Sequence, residues 1–282
     1  MLSAFTQRGA KVTIEALHLG AFDFVPKPQT SNLQQSQQEL RRTLLPKVDA
    51  FALSRGLRIS GQGGSTNGHF AAPARPAVSK PRTPVVKLCP EVVAIGVSTG
   101  GPEALTHVIP QLPPNLRVPV LLVQHMPPMF TRSLAEDLDR RSPLRVCEAQ
   151  DGQVVQPGWV YIAPGGKHMK VVSHQGQRII RITEDPPVKS CRPSVDYLFE
   201  SLAEVYQGRV VAVVMTGMGD DGADGCEKLR HRGATIVAQD QATCVVYGMP
   251  RAVVERQLAD FIVPLDQIAT TILRCVNQKV IV

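Results

Sequence analysis

The sequence predicts an α/β fold: an open, doubly wound, mostly parallel sheet with an antiparallel hairpin. Two observations carry this. From Cys89 onward, short apolar runs alternate with stretches of helical periodicity. The runs are also continuous and rich in β-branched residues, the pattern of strands covered by helices on both faces.

The elements follow in order. Residues 92–95 form a strand that leads into a Gly-rich turn and a helix from Pro102. Residues 118–123 form a second strand, followed by a helix over 130–140. Residues 159–162, 169–172 and 177–183 read as an antiparallel interlude with a hairpin turn at Gln175-Gly176. Arg192-Pro193-Ser194 opens a helix whose Val195, Leu198, Phe199 and Leu202 recur on one apolar face. Residues 210–215 form a strand before another Gly-rich turn, and the helix after it closes at Gly233. Residues 235–238 and 261–263 complete the sheet.

The first third differs in character. Residues 13–19 and 21–25 are apolar patches, and residues 33 to about 53 carry Leu40, Leu44, Leu45 and Val48 at helical spacing. Residues 56–88 are rich in Gly, Ser, Pro and Ala and read as a flexible tether. The expected organisation is thus a small N-terminal unit (1–55), a linker (56–88) and a main domain (89–282).

Composition excludes several functions. Of 282 residues, 43% are hydrophobic and 20% charged, too apolar for wholesale disorder. No run of about 18 apolar residues predicts a spanning helix, and no signal-like segment opens the chain, so no membrane insertion is expected. The net charge of +7 belongs to the first third, where residues 1–88 hold twelve Lys and Arg against four Asp and Glu. Residues 89–282 hold nineteen against twenty and lack an aromatic stacking platform, so nucleic acid is not an expected partner. Six scattered cysteines without a C-x-x-C pair predict a reduced, cytoplasmic protein with no structural zinc. With no H-E-x-x-H or EF-hand loop either, neither metal nor cofactor is expected.

In open α/β sheets ligands bind beyond the carboxyl ends of the strands. There the sequence sets Ser98 in G-V-S-T-G-G, His125 in Q-H-M-P-P, and Asp220-Asp221 in T-G-M-G-D-D-G. A serine hydroxyl is a weak nucleophile near neutral pH unless an imidazole takes its proton and a carboxylate orients that imidazole. Hydroxyl, imidazole and acid at three strand ends therefore suggest an activated serine. The small residues around Ser98 would let backbone N–H groups approach a substrate oxygen. Other readings stay open: residues 96–101 could cradle a phosphate or nucleotide, though they lack the P-loop lysine. A non-catalytic binding protein is the third possibility. His107, His168, Arg192 and His231 are secondary candidates, each more simply read as structural.

Six blocks together resemble the chemotaxis protein-glutamate methylesterase (CheB) family: A-I-G-V-S-T-G-G from Ala94, Q-H-M-P from Gln124, Y-I-A-P-G from Tyr161, R-P-S-V-D from Arg192, T-G-M-G-D-D-G from Thr216 and V-Y-G-M-P from Val246. The resemblance implies a hydrolase of glutamate methyl esters on methyl-accepting chemoreceptors, with protein-glutamine glutaminase activity. It implies Ser98 as nucleophile, His125 as base, Asp221 as orienting acid, and the backbone N–H of Thr99 and Met218 as oxyanion donors. Receptors are the implied protein substrate, and a chemotaxis kinase is a further partner. Cys191 departs from the pattern, since relatives often carry histidine there. Residues 1–55 resemble the tail of a response-regulator receiver domain, with Lys27 as its active-site lysine. A receiver-domain remnant without the upstream phosphoacceptor is expected to be loosely held or to use another surface, and not to be controlled by phosphorylation.

Overall fold

The computed structural model describes residues 1–4, 6–30, 32–54 and 89–277. The expected linker at 56–88 lies outside the described residues.

The N-terminal elements are β1 (Leu2–Ser3), α1 (Gln7–His18), β2 (Val25–Pro26) and α2 (Leu33–Ser54). Thr6 starts α1 as its N-cap, its hydroxyl accepting from the Gly9 N–H. The main domain then runs β3 (Val92–Val97), α3 (Gly101–Val108), β4 (Val120–Gln124), α4 (Phe130–Arg141), β5 (Arg145–Glu148) and β6 (Trp159–Ile162). It continues through β7 (His168–His174), β8 (Gln177–Thr183), α5 (Val195–Val205), β9 (Val210–Val214) and α6 (Ala223–His231). It closes with β10 (Thr235–Gln239), α7 (Met249–Glu255), β11 (Phe261–Val263) and α8 (Leu265–Asn277).

Seven strands form one parallel sheet in the order β11-β10-β9-β3-β4-β6-β5. The chain builds outward from β3 in one direction, then returns to build β9, β10 and β11 on its other side. The carboxyl end of β3 is thus the switch point where such sheets open a crevice.

Alternation along the central strands supplies two cores. Val93, Ile95 and Val97 of β3 face one side, with α3, α4 and α8. Val92 and Ala94 face the other, with α5, α6, α7 and the β7–β8 hairpin. Both sides being buried explains why the strands read as unbroken apolar runs. The hairpin is the antiparallel part, turning at Gln175 and Gly176 with φ of 49° and 79°; two positive φ values in a row define the tight hairpin turn that favours glycine.

One expectation fails here. Residues 159–162 do not join the antiparallel interlude but lie as β6 inside the main sheet, parallel to β4 and β5. Val160, Tyr161 and Ile162 are buried, as a strand covered on both faces requires. Strand β5 itself gave no clear sequence signal.

The N-terminal elements dock on the main domain. Ala10, Ile14 and Leu17 of α1 and Phe24 enter the same core as α3 and α4. The Phe24 ring stacks on Phe130 with centroids 4.5 Å apart, and His18 Nε2 lies 2.8 Å from Asp137 Oδ2 on α4. These residues thus pack on the main domain through α1 and Phe24.

Candidate active site

Each functional side chain is set by the loop after a parallel strand. The loop after β3 carries Ser98, and neighbouring loops pin its backbone. Ser98 N–H donates to Thr216 O (3.0 Å), and the Thr216 hydroxyl donates to Thr99 O (2.9 Å). Gln124 Nε2 donates to the carbonyls of Ser98 and His125 (3.0 and 3.1 Å), tying the loops after β3 and β4 together. The glycines of this loop serve packing against protein. Gly100 has φ of +80°, and a Cβ there would meet Val245; a Cβ at Gly101 would fall 2.0 Å from Gln124 Oε1. Gly217 packs so closely that a Cβ would lie 2.8 Å from Ser98 Cβ, which brings the loop after β9 against the serine.

His125 and Asp221 form a hydrogen-bonded pair, with His125 Nε2 2.7 Å from Asp221 Oδ2. Asp221 is 3% exposed and sits at the N-terminus of α5. Its Oδ1 accepts from Ser194 Oγ (2.8 Å) and Asp196 N–H (3.0 Å), and its Oδ2 also accepts from Val195 N–H (2.7 Å). A carboxylate has about four lone-pair sites, and all are used. Burial pushes the Asp221 carboxyl upward, but the His125 hydrogen bond and charge and the α5 amides outweigh it, leaving it down at about 2. Burial pushes the His125 imidazole down. Asp221 and the Cys191 sulfur push it up more strongly, to about 9.

The second ring nitrogen, His125 Nδ1, faces Cys191 Sγ at 3.8 Å. Among the described residues no hydrogen bond joins the Ser98 hydroxyl to His125; the two side chains instead line one cavity of about 440 Å³ with Thr99, Cys191 and Arg192. In free enzymes such bonds are often long and tighten only around substrate. The N–H groups of Thr99 and Met218 have no acceptor among the described residues; Thr99 lines the cavity, and Met218 is not among its lining residues. Asp23, Phe24 and Lys47 close the other side of the cavity. Asp23 Oδ2 accepts from the Thr99 hydroxyl at 2.8 Å and from Lys47 Nζ at 2.5 Å.

The secondary candidates fall elsewhere. His107 is exposed on α3, and His231 is exposed at the last turn of α6. His168 is fully buried, stacked 4.3 Å from the Tyr197 ring with Nε2 3.1 Å from Pro186 O. Arg192 lies at the cavity mouth, tethered by the carbonyls of Glu184 and Asp185. Sequence reasoning missed three residues. Ser194 holds the acid, and only its N-cap position hinted at a role. Cys191 meets the imidazole from 66 positions away, and Asp23 reaches the Ser98 loop from the N-terminal segment; no spacing announces either contact.

A parallel α/β sheet that gathers a hydroxyl and an imidazole–carboxylate pair at its carboxyl rim is an architecture suited to a hydrolytic enzyme. The CheB methylesterase family profile matches residues 93–272. Similar proteins are the protein-glutamate methylesterase/protein-glutamine glutaminase of Desulfotalea psychrophila, 45% identical over 98% of this chain and 77% of the relative, and that of Trichodesmium erythraeum, 43% identical over 97% and 76%. The crystal structure of the Thermotoga maritima CheB methylesterase catalytic domain matches with a TM-score of 0.65 and 43% identity, covering 66% of this chain and 99% of that domain. This chain belongs to the CheB methylesterase family and is an enzyme of that hydrolytic class. Among its described residues, no helix is long and apolar enough to cross a membrane.

Proposed function

We propose that this methylesterase removes methyl groups from glutamate 5-O-methyl esters on methyl-accepting chemoreceptors, releasing methanol, and deamidates receptor glutamines, working in the cytoplasm. Ser98 Oγ is the nucleophile. With substrate bound, its hydroxyl turns onto His125 Nδ1, because Nε2–H is already committed to Asp221. His125 takes the serine proton as Oγ attacks the side-chain carbonyl. The oxyanion is held by the N–H groups of Thr99 and Met218. The imidazolium then protonates methanol, or ammonia from an amide, as it leaves. Finally His125 activates water against the acyl-serine.

The observation that carries this reading is the His125–Asp221 bond. It commits Nε2 to the acid, so that in the neutral imidazole Nδ1, beside Cys191 Sγ, is the nitrogen left to serve the cavity shared with Ser98. The glycines around Ser98 weigh against the phosphate cradle, because each is spent on contact with Val195, Val245 or Gln124. In this reading the chain is a 1–55 receiver remnant, a 56–88 linker and an 89–282 catalytic domain, with receptors, and through signalling a chemotaxis kinase, as partners. The test is methanol release from methylated receptor membranes, with Ser98→Ala as comparison. A positioned base alone contributes about 10²–10⁴-fold, and Ser98→Ala is expected to abolish turnover while leaving the circular dichroism spectrum unchanged. Near-normal turnover by the variant overturns the assignment.

A further inference from the structure

The sulfur beside the catalytic imidazole performs no step of the proposed hydrolysis, yet it is held in a defined place. Cys191 and Val188 exchange a reciprocal pair of backbone hydrogen bonds (3.1 and 2.8 Å) across Lys189 and Ser190. Lys189 and Ser190 have φ of 47° and 64°, a two-residue turn that leaves Cys191 little freedom. This turn points Cys191 Sγ at His125 Nδ1, 3.8 Å away.

We propose that His125 Nδ1 and Cys191 Sγ are a binding site for one soft divalent cation of the zinc class, and that occupancy switches the enzyme off. The geometry is close to what a tetrahedral ion needs. With metal–nitrogen bonds of about 2.0–2.1 Å and metal–sulfur bonds of about 2.3 Å, the two donors would stand about 3.6 Å apart. The observed 3.8 Å closes to that with a small side-chain adjustment. Imidazole and thiolate are also the donor types that favour such ions over magnesium or calcium.

His125, Cys191 and Asp221 each offer a donor atom, all within 4.8 Å of one another. Asp221 is the outer partner and not a ligand, because its lone pairs are already taken by Ser194, Val195, Asp196 and His125. Its bond to Nε2–H makes the carboxylate–histidine–metal relay that fixes ring orientation and raises the basicity of the liganding nitrogen. Binding displaces the Cys191 thiol proton, and the Nδ1 proton wherever His125 is imidazolium, to solvent, with no change in oxidation state. Two protein donors leave two positions for water from the open cavity, the mark of a reversible site and not of a closed structural one.

The inhibitory consequence rests on the proposed role of His125: an ion on Nδ1 occupies the nitrogen that must receive the serine proton. The binding itself does not rest on that role, so two readouts separate the claims. In the first, the metal-free chain is titrated with cobalt(II). The expected result is a thiolate-to-cobalt charge-transfer band that saturates at one equivalent, is displaced by zinc, and is lost in both Cys191→Ser and His125→Ala. A band that survives in Cys191→Ser, or no band in the wild type, overturns the site. The second is methanol release against zinc, each protein compared with its own metal-free rate. Wild type should be inhibited and restored by EDTA, while Cys191→Ser, which loses a direct ligand, should need more than the about 10–100-fold extra zinc that losing an outer partner costs. Equal zinc sensitivity in the two proteins overturns the switch. A Cys191-dependent cobalt band in a chain that releases no methanol upholds the site and overturns the esterase reading instead.

Discussion

Asp221 shows how much of the chemistry one side chain settles. Its four acceptor contacts hold the carboxylate ionised and aimed at a single ring nitrogen. Asp221→Asn should keep the fold but offer the imidazole an amide in place of a charge. By the precedent of serine-protease triads, kcat should fall about 10⁴-fold, measurable as methanol release at saturating substrate. The pH profile follows from the same pair. Only neutral His125 can accept a proton, and its conjugate acid persists up to about 9, so kcat/KM should climb with pH and level off near there. Since the Cys191 sulfur helps hold the imidazole up, Cys191→Ser should move that rise to lower pH. Stability runs with opposite signs for the two partners. His125, raised above 6.5, contributes fully below that value and loses its contribution as pH climbs through about 9. Asp221, lowered from 3.8, contributes above that value and loses its contribution as pH falls through about 2. Urea midpoints of wild type and Asp221→Asn across this range check both signs.

At the scale of elements, the contact between β3 and α5 matters most. Gly96 lies directly under Val195, where a Cβ would come within 2.4 Å of Cγ1. Gly96→Ala should therefore lift α5 from the strand and cost about 1–3 kcal/mol of overpacking, read as a lower urea midpoint at unchanged m value. Because α5 carries the amides that hold Asp221, activity should fall further than stability. The central elements were legible in the sequence for a physical reason. Strands β3, β4, β9 and β10 are buried on both faces and so write themselves as unbroken apolar runs. The three strand ends in turn pointed to Ser98, His125 and Asp221. Strand β5 was not legible, because it is a four-residue edge strand with Arg145 and Glu148 at its ends. Strand β6 was visible but misassigned, since an apolar run does not record which neighbours it pairs with. The Cys191–His125 contact was silent for the same reason: convergence is a property of topology and not of spacing.

For the whole molecule, the N-terminal segment acts as a second wall of the cavity that Ser98 and His125 line. Asp23 bridges Lys47 of α2 and Thr99 beside Ser98, and Phe24 anchors that wall on Phe130. A glutamyl side chain still attached to a receptor must pass this wall, whereas a small free ester has less to clear. Asp23→Ala should accordingly raise turnover of receptor substrate severalfold while leaving a small methyl ester nearly unaffected. Equal effects on both substrates would mean that the wall does not govern access.

The strand order has a further consequence, for how the molecule assembles. Strand β5 is made before β6 yet, among the described residues, pairs only with it, because β6 is interposed between β5 and β4. The earlier strand therefore has no seat in the sheet until the later one arrives, so that margin should be the last to be secured during folding and the first to open. In native-state hydrogen exchange, the β5 amides should lose protection at a lower opening free energy than those of β3.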